Sequence, residues 1–173
     1  MTNEKPKKDE WAEPSEPPKC LWMSGEMVDW ENATVHASML GWSSISMVFE
    51  GIRGYWNSDQ EQLNIFRLDS HLQRLMRSMK IMRMTSPWSV EELTSAVIDI
   101  AQTNEFRGDC YIQPLAYFGE GTPGYLSAGG RPGEVAIFSR KSTSISSANA
   151  ASMRSLSVRD GAETAVPGRL MPL

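Results

Sequence analysis

Six lysines, two histidines and two cysteines are the residues from which nucleophilic, acid–base or metal chemistry would have to be built in this sequence. Lys5, Lys7, Lys8 and Lys19 fall in a polar N-terminal stretch, Lys80 on the polar face of a helix and Lys141 at the start of a serine-rich segment. None of these contexts activates an amine as a nucleophile. His71 has no second histidine or acid cluster at ligand spacing and reads as a structural residue near a helix start. Cys20 and Cys110 form neither a metal-ligand spacing nor a disulfide framework, which fits a reducing cytoplasm. Arg74, by spacing alone, is a solvated charge on a polar helix face. Gly119-Glu120-Gly121-Thr122-Pro123-Gly124 matches GxGxxG formally, but Pro123 and the loop after it deny the glycines the helix that a dinucleotide site needs.

The elements that must position these residues can be read along the chain. Two short apolar runs, Leu21-Trp22-Met23 and Met27-Val28-Asp29-Trp30, flank Ser24-Gly25-Glu26 as a β-hairpin. Ser46–Tyr55 and Leu63–Leu68 form a second antiparallel pair across the polar turn Asn57–Gln62. A helix follows, with Asp69 or Ser70 as its cap and Leu72, Leu75, Met76, Met79 and Met82 as its apolar stripe. A second helix opens on the capping box Ser89/Glu92, buries Leu93, Val97, Ile100 and Ala101, and ends near Asn104. Cys110–Phe118 is a strand in which Pro114, lacking an N–H, marks an edge or a bulge. Glu134–Ser139 is a further strand, Ser139–Ser152 a loop or linker, and Ser155–Arg159 one more strand. Antiparallel strand pairs with two consecutive helices define an α+β domain. The expected organisation is a disordered polar tail over 1–20, a small α+β domain over 21–140, and a linker with the incomplete start of a larger domain over 141–173.

Composition narrows the class of partner. The 173 residues are 40% hydrophobic and 22% charged, as in ordinary globular proteins. Net charge is −4, with basic residues scattered instead of gathered in a stripe, so no nucleic acid partner is expected. The N-terminal stretch lacks a signal-peptide apolar core, and no apolar run approaches the roughly 20 residues that cross a bilayer.

Val48-Phe49-Glu50-Gly51-Ile52-Arg53-Gly54-Tyr55-Trp56, followed by Ile65-Phe66-Arg67-Leu68-Asp69-Ser70-His71-Leu72-Gln73-Arg74-Leu75, resembles paired blocks of the branched-chain amino acid aminotransferases. These are fold-type IV, class IV enzymes dependent on pyridoxal 5'-phosphate. Leu21–His36 resembles their opening hairpin and Tyr111–Gly121 their later strand and loop. The resemblance implies the small N-terminal domain of that fold, an antiparallel sheet with two helices, and a likeness extending from Leu21 to Phe138. It implies that Arg74, in an HxxRL motif, holds the cofactor phosphate, a task suited to the two-pronged donor geometry of a guanidinium. It further implies that Phe49, Gly51, Tyr111 and Gln113 line the substrate pocket, that amino acids and 2-oxo acids are the substrates, and that an intact member is a cytoplasmic homodimer. The sequence departs from the family pattern at Gln113, where YIRPL has arginine, and at Gly41–Met47, where Ser44 and Ile45 replace a pocket tyrosine and a glycine.

The family's Schiff-base lysine has no counterpart in this chain. Alignment of Pro167-Gly168-Arg169-Leu170 with the family's PPRI sets Met171 at the lysine position, and a thioether can neither form an imine nor carry a proton. The chain is therefore expected to be a truncated or frameshifted copy with no catalytic residue of its own, inactive alone. A pyridoxal-phosphate lyase of the aminodeoxychorismate type is the alternative within the fold. A non-catalytic fragment acting only in binding or dimerisation is the alternative outside enzymology.

Overall fold

The structure, a computed structural model, describes residues 17–37, 46–119, 131–142 and 163–167. Strand β1 (Cys20–Met23) turns through Ser24 and Gly25 into β2 (Glu26–Asp29). Both turn residues have positive φ, 46° and 104°, the conformation of a two-residue hairpin loop whose twist matches its strands. The hairpin is thus as expected. The sequence reading placed Cys20 in the tail, whereas the structure buries it in β1 and has Trp30 N–H donate to Lys19 O.

Val48–Phe49 (β3) and Ile52–Asn57 (β4) both pair with Cys110–Phe118 (β7) in one register, Phe49 opposite Leu115 and Ile52 opposite Ile112. They are two halves of a single extended segment. Pro114 explains the interruption: its carbonyl accepts from Glu50 N at 2.9 Å, but it has no N–H to return the bond. The expectation that Pro114 marks an edge or a bulge is corrected here. β7 runs between β4 and β8 (Arg131–Lys141), with Pro114 opposite Ile137. A central strand tolerates the proline because the missing donor removes one ladder bond on one side only.

β4 pairs with β5 (Gln62–Phe66), and α1 (Leu68–Ile81) follows at once. Neither Asp69 nor Ser70 caps that helix. Its N-cap is Arg67, held left-handed at φ 46°, ψ 42°, with no side-chain cap bond. The chain leaves β5 too abruptly for a cap further on, so Asp69 lies inside the first turn and accepts from Gln73 Nε2 at 2.8 Å. Leu72, Leu75 and Met79 are buried as read, but Met82 lies beyond the helix and is 38% exposed. Left-handed Arg83 turns the chain there into β6 (Met84–Thr85), and Met84 takes the core position.

α2 (Val90–Thr103) carries the expected capping box: Glu92 N donates to Ser89 Oγ at 3.2 Å and Ser89 N to Glu92 Oε2 at 2.7 Å. Its C-cap, Asn104, fastens the helix to the sheet by accepting from Cys20 N at 3.1 Å and donating to Cys20 O at 3.0 Å and Ser139 Oγ at 3.2 Å.

Among the described residues the strand order is β2-β1-β8-β7-β4-β5-β9, where β9 is Glu163–Pro167. All of these pairings are antiparallel, and only two-residue β6 lies parallel to β8. The α+β expectation holds. β9 adds a finding: part of what the sequence reading took as a linker and the incomplete start of a larger domain pairs along the whole of β5. The expected strand Ser155–Arg159 and most of the glycine loop lie outside the described residues. Both helices pack on one face of the sheet, where Ile52, Ile65, Ile112, Val135 and Ile137 meet Leu72, Leu75, Leu93, Val97 and Ile100. The other face carries no helix among the described residues.

Two outcomes follow from this core. Leu72→Ala, at a fully buried position, is expected to cost about 2–5 kcal/mol in urea unfolding through lost apolar burial and the cavity left behind. Cys110 is fully buried beneath Gly54, and burial, reinforced by Asp109, pushes its thiol up to about 12. Iodoacetamide at pH 8 should leave Cys110 unmodified in the folded chain and alkylate it in urea, read by peptide mass.

Candidate active site

Side chains alternate across a strand, and Ile52 and Gly54 point to the helices, so Glu50 does as well. Its side chain is 6% exposed. A carboxylate so placed needs partners to offset lost hydration. α1 supplies two from one face, three residues apart. Arg74 donates from Nε to Glu50 Oε1 and from Nη2 to Oε2, both at 2.5 Å, and His71 Nδ1 lies 3.0 Å from Oε2. The Arg74 hydrogen bonds, working against burial and joined by His71, hold Glu50 below the usual carboxylate range. Glu50 in turn raises the Arg74 pKa. Arg74 stays 58% exposed, and its Nη1 has no partner among the described residues. One edge of the guanidinium is thus fixed and the other is free to donate.

Phe49, Gly51, Arg53 and Tyr55 alternate onto the opposite face, which carries no helix among the described residues, together with Tyr111 and Gln113 of β7. Phe49 is 55% exposed. A Cβ at Gly51 would stand 2.5 Å from the Tyr111 hydroxyl oxygen, so only glycine lets that ring lie over the strand. Arg53 and Arg140 flank the ring, their Cζ atoms 5.5 and 5.3 Å from its centroid. Phe49, Gly51, Tyr111 and Gln113 therefore share one face, while Arg74 lies with Glu50 on the helix side of the same strand. Glu50, Arg53 and Arg140 were not singled out from sequence. Period-two alternation with Gly51 could have found Arg53, but no local signal joins Glu50 to a helix 24 residues on. Ser44, Ile45 and Met171 lie outside the described residues.

Residues 47–167 match the family described as amino-transferase class IV, and the chain belongs to that family. Within it, the chain is similar to branched-chain enzymes. The probable branched-chain-amino-acid aminotransferase of Aquifex aeolicus is 35% identical over 97 residues, 56% of this chain and 31% of its own length. The Escherichia coli (strain K12) branched-chain-amino-acid aminotransferase is 38% identical over 100 residues, 58% of this chain and 31% of its own. The crystal structure of the Thermobaculum terrenum enzyme in PLP-form (holo-form) has a TM-score of 0.67 at 44% identity, covering 75% of this chain and 42% of that one. The Thermoproteus uzoniensis enzyme with norvaline has a TM-score of 0.62 at 38% identity, covering 72% and 41%. The matches thus span about a third of the curated relatives and about two fifths of the solved structures.

Pyridoxal 5'-phosphate is the family's cofactor. The described residues fit its phosphate end, since Arg74 is oriented by Glu50 with N–H groups to spare. They do not fit its aldehyde end. Lys19 is bound to Glu105 at 2.6 Å, Lys80 lies in the last turn of α1, Lys141 ends β8, and none contacts the Arg74 cluster.

A carboxylate whose folded pKa is depressed stabilises the fold fully above its unfolded pKa, about 4.3, and loses that contribution as pH falls towards the folded value. In urea unfolding, Glu50→Gln should therefore be less stable than the parent chain at pH 7, and the gap should close progressively below about pH 4.

Proposed function

We propose that this chain supplies the small-domain half of a pyridoxal-phosphate-dependent transamination site for branched-chain-like amino acids and 2-oxo acids. The observation that carries this reading is the Arg74 guanidinium, held on Glu50 by two bonds with its outer edge free. Arg74 anchors the cofactor phosphate by charge-assisted hydrogen bonds, and Glu50 and His71 restrict its rotamers before the ligand arrives. Phe49, Gly51 and Tyr111 shape the amino-acid pocket on the open face, with Gln113 as a neutral hydrogen-bonding group there. When bound, the cofactor supplies the electron sink for moving an amino group. The chain contributes binding and orientation and no proton-transferring amine, so it is inactive by itself. The branched-chain relatives support this reading over the aminodeoxychorismate-type lyase. Free, buried Cys20 and Cys110 support a reducing, cytoplasmic setting, and a sheet face that carries no helix among the described residues supports assembly, as in a homodimer.

Pyridoxal phosphate titrated into the 173-residue chain should bind weakly, in the millimolar range expected of a single anchor. The phosphorus resonance should shift with the parent chain and not with Arg74→Ala. Borohydride treatment should label no single lysine stoichiometrically, and amino transfer should not exceed that of free cofactor. Stoichiometric labelling of one lysine together with turnover would overturn the inactivity, and an unaltered titration with Arg74→Ala would overturn the anchor.

A further inference from the structure

Glu50 Oε2 and Arg74 Nη2 meet at a third atom, the Nδ1 of His71, which lies 3.0 Å from the oxygen and 3.2 Å from the nitrogen. One ring nitrogen cannot serve both. With a proton it donates to Glu50, and without one it accepts from Arg74 and turns its lone pair on the carboxylate. The two forms of the ring therefore have opposite effects on the guanidinium. Of the five N–H groups that an arginine carries, Arg74 spends one from Nε on Glu50 Oε1 and one from Nη2 on Oε2. The pair on Nη1 and the second proton of Nη2 are left to form the outer edge of the fork. A bare Nδ1 would compete for the Nη2 protons and draw that edge towards the ring, whereas a protonated Nδ1 leaves it open.

The surroundings decide between the two forms. The side chains of His71 and Glu50 are 17% and 6% exposed, so little water screens the contact, and a lone pair facing a carboxylate oxygen there would go uncompensated. His71 Nε2 has no hydrogen-bond partner among the described residues, so none of them draws the proton to the far side of the ring. The ring is also held in place, because His71 and Arg74 stand three residues apart on α1 while Leu72 and Leu75 fix the helix in the core. We propose that His71 is a positioning residue of the phosphate anchor: it keeps its proton on Nδ1, gives it to Glu50, and so holds the Nη1–Nη2 edge of Arg74 open for a phosphate monoester. This role rests on Arg74 being the anchor, and it names the atom on which the anchor's availability turns. Glu50 orients the fork, and His71 decides how many of its donors a ligand can reach.

The test reads the ring before any ligand is added. Long-range proton–nitrogen correlation spectra of the isotope-labelled 173-residue chain, assigned to His71 by the signals lost in His71→Asn, should show Nδ1 protonated, and the Arg74 Nε–Hε proton should exchange slowly with water. Pyridoxal phosphate and inorganic phosphate, each titrated at constant ionic strength, should then shift the Arg74 resonance. His71→Ala should weaken both by about fivefold, the scale of one hydrogen bond, and speed the Nε–Hε exchange. An asparagine amide can place an N–H where Nδ1 stands, whereas a glutamine amide reaches the place of Nε2. His71→Asn should therefore recover most of the loss and His71→Gln little of it, and Arg77→Gln, on the exposed side of α1, should bind as the parent does. A bare Nδ1 in the parent chain, which needs no variant to fold, would overturn the positioning role. So would His71→Ala binding as tightly as the parent, or His71→Asn performing no better than His71→Gln. A protonated Nδ1 beside an Arg74 silent to both phosphates removes the cofactor anchor and keeps His71 as the group that positions the guanidinium, read from Nε–Hε exchange that His71→Ala speeds. A responsive Arg74 beside a bare Nδ1 removes the positioning role alone.

Discussion

The buried carboxylate of Glu50 constrains the geometry on both sides of the sheet. A charge taken out of water must be met by opposite charge and hydrogen bonds, and the groups that meet it come from His71 and Arg74 on one turn of α1. That requirement sets the rotation of α1 over the central strands. It is compatible with the apolar stripe Leu68, Leu72, Leu75 and Met79, which faces the core from the same helix. Period-two alternation then leaves Phe49, Gly51 and Arg53 no choice but the opposite face.

Pro114 and Gly51 act together at the same place. The proline removes one donor from the ladder beside Glu50, and the glycine removes the side chain that would collide with the Tyr111 hydroxyl. The segment stays extended and in register across the gap, so the interruption costs one hydrogen bond and not the alignment of the face. The Tyr111 hydroxyl lies over the Gly51 backbone, with arginines from both neighbouring strands beside its ring.

The two faces of the sheet carry different sets of groups. The helix side orients a guanidinium whose free edge suits a phosphate, and the open side gathers an exposed phenylalanine, a tyrosine, an amide and two arginines. Neither side holds an amine suited to bond formation among the described residues.

Local pattern carried a good share of this. The Ser24-Gly25 turn, the capping box at Ser89 and Glu92, the apolar period of α2 and the alternation of β7 are short-range features, decided by backbone preferences within a few residues, and they are legible in sequence. The start of α1 was not, because left-handed Arg67 answers to the angle at which β5 meets the helix, and Asp69 and Ser70 signal only a preference. Pro114 was legible as a missing donor but not as a central position, since strand order is a long-range fact. The pairing of Glu163–Pro167 with β5 lies about a hundred residues away in the chain and leaves no local trace. The same holds for the functional groups. Sequence placed Phe49, Gly51, Tyr111 and Gln113 on shared faces of their own strands, because side-chain alternation is built into the backbone. Only the tertiary structure could join Arg74 to Glu50 and set Arg53 and Arg140 about Tyr111, because charge compensation acts through space between segments whose distance along the chain says nothing of their distance in the fold.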